Sequence, residues 1–169
     1  SKVLSDKSKK LTAYHEAGHA VASFFLPGHD EVHQISIIPA GRAGGYTLYL
    51  PKEDRDYMSK GDMENELVSL LGGRVAEKLT LDDISTGASN DIQRATDIAR
   101  SMVTKYGMSE ALGPIVYGEN QEEVFLGMSM THSRNYSETV AAEIDAEVRA
   151  VIERAYRRTE KILSENMEK

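Results

Sequence analysis

Residues 13–21 read AYHEAGHAV, and no other stretch constrains the fold as tightly. His15 and His19 lie four residues apart. On a helix, positions i and i+4 sit one above the other, so the two imidazoles share a face. Leu11, Gly18, Ala22 and Leu26 fall on that face too, so it looks inward. The fold must therefore take two imidazoles into its interior and give each a partner, because burying an unbonded polar group is unfavourable. A single shared cation would satisfy both rings. Glu16 is turned by one helical step, so its carboxylate reaches the same space without occupying a ligand position. The pattern is HExxH, which supplies two zinc ligands and a general base.

A zinc site that performs chemistry takes three protein ligands and leaves a fourth position for water. The chain has no cysteine, so the third ligand must be His, Asp or Glu. The position that completes an extended HExxHxxGxxH motif is Phe25. His29 follows the Pro27-Gly28 helix breaker, His33 falls in an expected strand, and His132 lies in a stretch of uncertain structure. Two carboxylates compete more strongly. Asp91 shares a helical face with Ala95, Ile98 and Met102, which aims it inward from the first turn of a helix. An inward carboxylate needs compensation, although Asp is also favoured near a helix N-terminus for its charge alone. Glu77 follows Arg74 by three residues and could simply pair with it. The residue pattern favours Asp91 and leaves Glu77 open.

The rest of the chain reads as a helical domain with a small sheet. Ser8 or a neighbour caps the first helix, which ends at Pro27-Gly28. Residues 32–38 (VHQISII) and 45–50 (GYTLYL) read as strands, joined by a turn over residues 39–44 into a hairpin. A second helix is expected over residues 61–79, with Val68, Leu71, Val75 and Leu79 on its apolar face. A third runs from about residue 88 to 106, stopped by Gly107. Residues 107–135 resist assignment, and the part from residue 118 reads as a long loop, with Gly127 and Met128 either beside the site or remote from it. A last helix spans residues 137–166, striped by Val140, Ile144, Val148, Val151, Ala155 and Ile162.

At 169 residues the chain is large enough to bury one proper core. Its net charge of −7, with no basic run, argues against nucleic acid or anionic lipid as a partner. No apolar stretch has the length of a membrane span, and the N-terminus lacks a signal-peptide core. The chain opens without Met and reads as a piece of something longer, soluble as given.

Four segments taken together, LTAYHEAGHAV, LLGGRVAE, STGASNDIQRAT and YGMSEALGPIVYG, closely resemble the peptidase domain of the FtsH family of ATP-dependent zinc metalloproteases. The resemblance runs from about Lys9 to the last helix. It implies a mainly α-helical peptidase domain over residues 1–169, with residues 1–8 leading in from an ATPase module. It implies Zn²⁺ held by His15, His19 and Asp91, with Glu16 as general base and Glu77 orienting a ligand. It also implies a homo-hexameric, membrane-anchored full-length protein on the cytoplasmic face, which degrades unfolded or unneeded proteins. The GxxxxGK[ST] loop of an ATPase and a membrane span are both missing from this chain.

An extended substrate can add to an exposed sheet edge. Residues 44–50 are the candidate edge, with Gly44, Gly45, Tyr46 and Thr47 as substrate-binding residues; the glycines would allow close backbone approach. Two rival readings are an assembly module with a structural metal and a zinc hydrolase of small amides. An intact Glu16 argues against the first, since a structural site needs no base. The edge strand and the resemblance argue against the second.

Overall fold

The computed structural model describes residues 5–28, 31–37, 45–50, 57–118 and 135–168. Helix α1 spans Asp6–Phe24, strands β1 and β2 span Glu31–Ser36 and Tyr46–Leu50, α2 spans Lys60–Leu81, α3 spans Ser89–Thr104 and α4 spans Glu138–Glu165. A short 3-10 turn, Thr86–Ala88, leads into α3. The expected class, mainly α with a small hairpin, is the observed one.

The helix starts follow local hydrogen-bonding chemistry. Ser5, not Ser8, caps α1: its hydroxyl accepts the backbone N–H of Ser8 at 3.2 Å. Asp6 to Ser8 form the first turn of the helix. Ser59 and Asp62 form a reciprocal capping box on α2, with both bonds at 3.0 Å. Ser137 caps α4 by accepting the Val140 N–H. Gly107 has φ +60, the left-handed geometry that helps stop the chain after α3.

Helix α2 is the axis of the domain and packs on α1, α3 and α4. Leu67, Val68 and Val75 are its fully buried contribution to the core, joined by Met102 from α3 and Ile144 from α4. The stripe expected on α4 drifts at its far end. Thr159 and Leu163 are the buried positions there, while Ile162 packs at the margin. Thr159 is tolerated inside because its hydroxyl donates to the Ala155 carbonyl at 2.7 Å.

Two glycines let α1 and α2 cross closely. A Cβ on Gly18 would stand 2.3 Å from the Gly72 carbonyl oxygen, and one on Gly72 would stand 2.6 Å from that of Gly18. Small residues at both positions are what bring the histidine face of α1 against α2.

Strands β1 and β2 pair antiparallel, Ile35 opposite Thr47 and Ser36 opposite Tyr46, with an irregularity between Val32 and Gln34. The turn expected over residues 39–44, including Gly44, lies outside the described residues, as do His29, Gly127, Met128 and His132. The hairpin lies on α1. Alternate residues of one segment reach the helix: Gly45 beside Thr12 and Glu16, Thr47 on Glu16, and Tyr49 on Ser23. A strand's period of two thus meets one helical face.

Candidate metal centre and cleft

His15 and His19 are both buried, as their helical face requires. Each ring is fixed from behind through Nδ1. The His19 Nδ1–H donates to the Ser69 carbonyl of α2 at 2.7 Å. A carbonyl can only accept, so this bond sets the tautomer. The His15 Nδ1–H donates to Glu77 Oε2 at 2.8 Å. Glu77 is fully buried, and its other oxygen accepts the Ser85 N–H at 3.0 Å. The alternative pairing of Glu77 with Arg74 is not the one used: Arg74 donates to the Ser85 carbonyl instead. Gly73 makes room for the His15 ring, since a Cβ there would stand 2.4 Å from the imidazole.

With both Nδ1 atoms committed, the Nε2 atoms point at each other and at α3. They stand 3.1 Å apart, and Asp91 Oδ2 lies 3.2 Å from His15 Nε2 and 3.1 Å from that of His19. In the neutral rings all three atoms present lone pairs. Such a triangle of acceptors needs a positive charge at its centre. Donors about 2.0–2.1 Å from a tetrahedral zinc ion stand roughly 3.3 Å from one another, so the observed spacing fits that ion closely. His15, His19 and Asp91 are the group able to hold a metal among the described residues.

The electrostatics agree. Burial would lower the His15 pKa, but hydrogen bonds to Asp91 and Glu77 outweigh it and raise the value above the ordinary 6.5. Burial would raise Asp91, yet the bonds from His15 and His19 hold its carboxyl well below the usual carboxylate range. Both shifts report a site that attracts a cation.

Glu16 is also buried, one residue from His15. Thr47 of β2 donates to its carboxylate Oε2 at 2.7 Å. The triad opens into a cleft of about 1000 Å³, lined by Glu16, Tyr46, Thr47 and Tyr49 on one wall and by Asn90 and Arg94 on another. Of the residues expected to touch substrate, Tyr46 and Thr47 are on the cleft wall. Gly45 is there too, but its missing side chain is used by its own domain: a Cβ would meet Thr12 at 2.5 Å and the Ser36 carbonyl at 2.6 Å.

Residues 2–169 match the model of Peptidase family M41. The chain belongs to peptidase family M41. Among individual M41 relatives, it is similar to the ATP-dependent zinc metalloprotease FtsH of Caldicellulosiruptor bescii, 62% identical over 169 residues, covering 100% of this chain and 27% of that protein. It is 62% identical over 169 residues to FtsH 1 of Thermoanaerobacter sp., covering 100% and 28%. The FtsH of Veillonella parvula is 54% identical over 166 residues, covering 98% and 26%. This M41 domain spans about a quarter of the length of these relatives.

Sequence reasoning about this M41 domain missed three contributors: the Ser69 carbonyl, the Ser85 N–H and Gly73. Two are backbone groups and carry no side-chain signature. Gly73 left one, because adjacent glycines inside a helix are disfavoured by roughly 0.5–1 kcal/mol each and so call for a packing reason.

Proposed function

We propose that this chain is the peptidase domain of an ATP-dependent zinc endopeptidase that hydrolyses unfolded or unneeded proteins. The observation that carries the reading is the convergence of His15 Nε2, His19 Nε2 and Asp91 Oδ2 within hydrogen-bonding distance, with Glu16 beside them at an open cleft. A zinc ion held by these three residues supplies Lewis acidity, lowering the pKa of a water and polarising a carbonyl. Glu16 accepts the proton of the attacking water and returns it to the leaving amine. Glu77 and the Ser69 carbonyl keep the two imidazoles aimed, as hydrogen-bonded partners of metal-binding histidines do.

Substrate enters extended, along β2. Among the described residues β2 pairs with β1 alone, and Gly45, Tyr46 and Thr47 lie at the mouth of the cleft. Backbone pairing there suits a protease that takes many sequences. The full-length protein carries an ATPase module and a membrane anchor, works as a homo-hexamer and faces the cytoplasm. The relatives' greater length and their ATP-dependent names support the ATPase module; the anchor, the hexamer and the cytoplasmic face rest on the family resemblance. No helix among the described residues is long and apolar enough to cross a membrane, so the anchor is assigned to another part of the full protein.

The test combines metal analysis with casein hydrolysis by the full-length protein. Chelator should abolish hydrolysis and Zn²⁺ restore it. Glu16→Gln should keep zinc and lose turnover, and Asp91→Ala should lose zinc. Zinc retained in Asp91→Ala but lost in Glu77→Ala would overturn the ligand set. Metal-dependent folding with no hydrolysis would overturn the enzymatic reading.

A further inference from the structure

We propose that Thr47 is a positioning residue for Glu16, fixing one carboxylate oxygen so that the other is the one that handles the proton; this deepens the peptidase reading and rests on it. The Thr47 hydroxyl lies 2.7 Å from Glu16 Oε2 and 3.1 Å from the Glu16 backbone carbonyl. A hydroxyl has one proton to donate. The shorter contact, to the carboxylate, is the stronger of the two and takes it.

Glu16 has no other side-chain hydrogen bond among the described residues. Its terminal torsion is intrinsically broad, so burial alone does not set the plane of the carboxylate. Thr47 does. With Oε2 held, Oε1 is left as the oxygen able to meet a water at the cleft.

The threonine is itself well anchored. It is β-branched and sits in a paired strand, opposite Ile35, which restricts its side-chain rotation. Two residues earlier, Gly45 presses against α1 so closely that a Cβ would stand 3.4 Å from Glu16 Cγ and 2.5 Å from Thr12 Cγ2. Two residues later, the Tyr49 hydroxyl lies 3.3 Å from Ser23 Oγ. Gly45 and two alternate residues of β2 thus fasten this segment to the helix that carries Glu16. This placement also reassigns the Thr47 side chain. Its proton is committed to Glu16, so the substrate contact expected of this segment falls to the backbone.

The test compares Thr47→Val, which keeps the shape and removes the hydroxyl, with Thr47→Ser, which keeps the hydroxyl. Both are made in the zinc-loaded full-length protein and assayed on a quenched-fluorescence peptide. Thr47→Val should lower kcat about 10–100-fold, with KM within about twofold and zinc content unchanged; Thr47→Ser should recover most of the loss. A raised KM with intact kcat would assign the side chain to substrate and overturn the proposal, as would unchanged kinetics. A crystal structure of Thr47→Val gives a readout independent of turnover. The Glu16 carboxylate should lose its single orientation, and retention of the wild-type orientation would also refute the idea. If the wild-type protein hydrolyses nothing, the peptidase reading fails, while the crystal structure still decides whether Thr47 orients Glu16.

Discussion

Replacing Gly73 by alanine sets two physical effects against each other. Gly73 lies within α2, where alanine is favoured over glycine by roughly 1 kcal/mol. On propensity alone the variant should be more stable. The new Cβ, however, would stand 2.4 Å from Cε1 and Nε2 of His15 and 2.6 Å from Nδ1, against an ordinary contact of 3.4–4 Å. The ring must retreat by about 1 Å, and it is held at both ends, by Glu77 at 2.8 Å and in the triangle with His19 and Asp91. Overpacking of this kind costs about 1–3 kcal/mol, and losing the bond to a buried charged partner costs about 1.5–3 more. After the propensity gain, a net loss near 3 kcal/mol remains, which lowers Tm by roughly 6–12 °C in a chain of this size. Zinc affinity should fall by about 10–100-fold, because the displaced ring is a proposed ligand. Thermal melts by circular dichroism in chelator, followed by competitive zinc titration, measure both. Gly61→Ala is the control: its Cβ would meet only Ser59 Oγ, at 3.7 Å, so that variant should be neutral or gain up to about 1 kcal/mol. A Gly73→Ala protein that melts higher than wild type and binds zinc equally would refute the argument that His15 is seated on that backbone.

Three further outcomes follow from the same geometry. Glu77→Gln should weaken zinc binding by about 10–100-fold without removing a ligand, read by competition against a chromogenic chelator. Because His15 has a raised pKa in the metal-free protein, its ion pair contributes stability that is complete below about pH 6.5 and is lost as pH rises through the raised value. Melting in chelator should therefore drop as pH rises from about 6.5 through the raised value, whereas zinc affinity should move the other way, weakening as pH falls and protons compete for His15. Ile144→Ala, in the core and not among the residues lining the cleft, should cost about 2–5 kcal/mol in a chemical denaturation curve and leave the zinc affinity of the folded protein unchanged.

The helices of this domain were legible because their signals are local. The α4 span read from the chain runs from its Ser137 cap to its Asn166 cap, and the inward face of α1 follows from periodicity alone. What the structure adds to them is also local. Ser5 and Ser8 are equally good caps on paper, and the structure uses Ser5. Thr159 was passed over on α4 because its polarity is cancelled only by a bond within the helix.

The amino-acid sequence by itself determined the donor types and the spacing that stacks His15 on His19, since both are properties of a single helix. It also placed Asp91 on an inward face and offered Glu77 as its rival, but it left the position of each open, because separating them requires knowing which carboxylate ends up in front of the rings and which behind. Only the tertiary structure decided that. The glycine-lined crossing of α1 and α2 sets Glu77 against Nδ1, and α3 brings Asp91 to Nε2. Contacts 62 and 76 residues apart depend on how helices cross, and no local pattern encodes that.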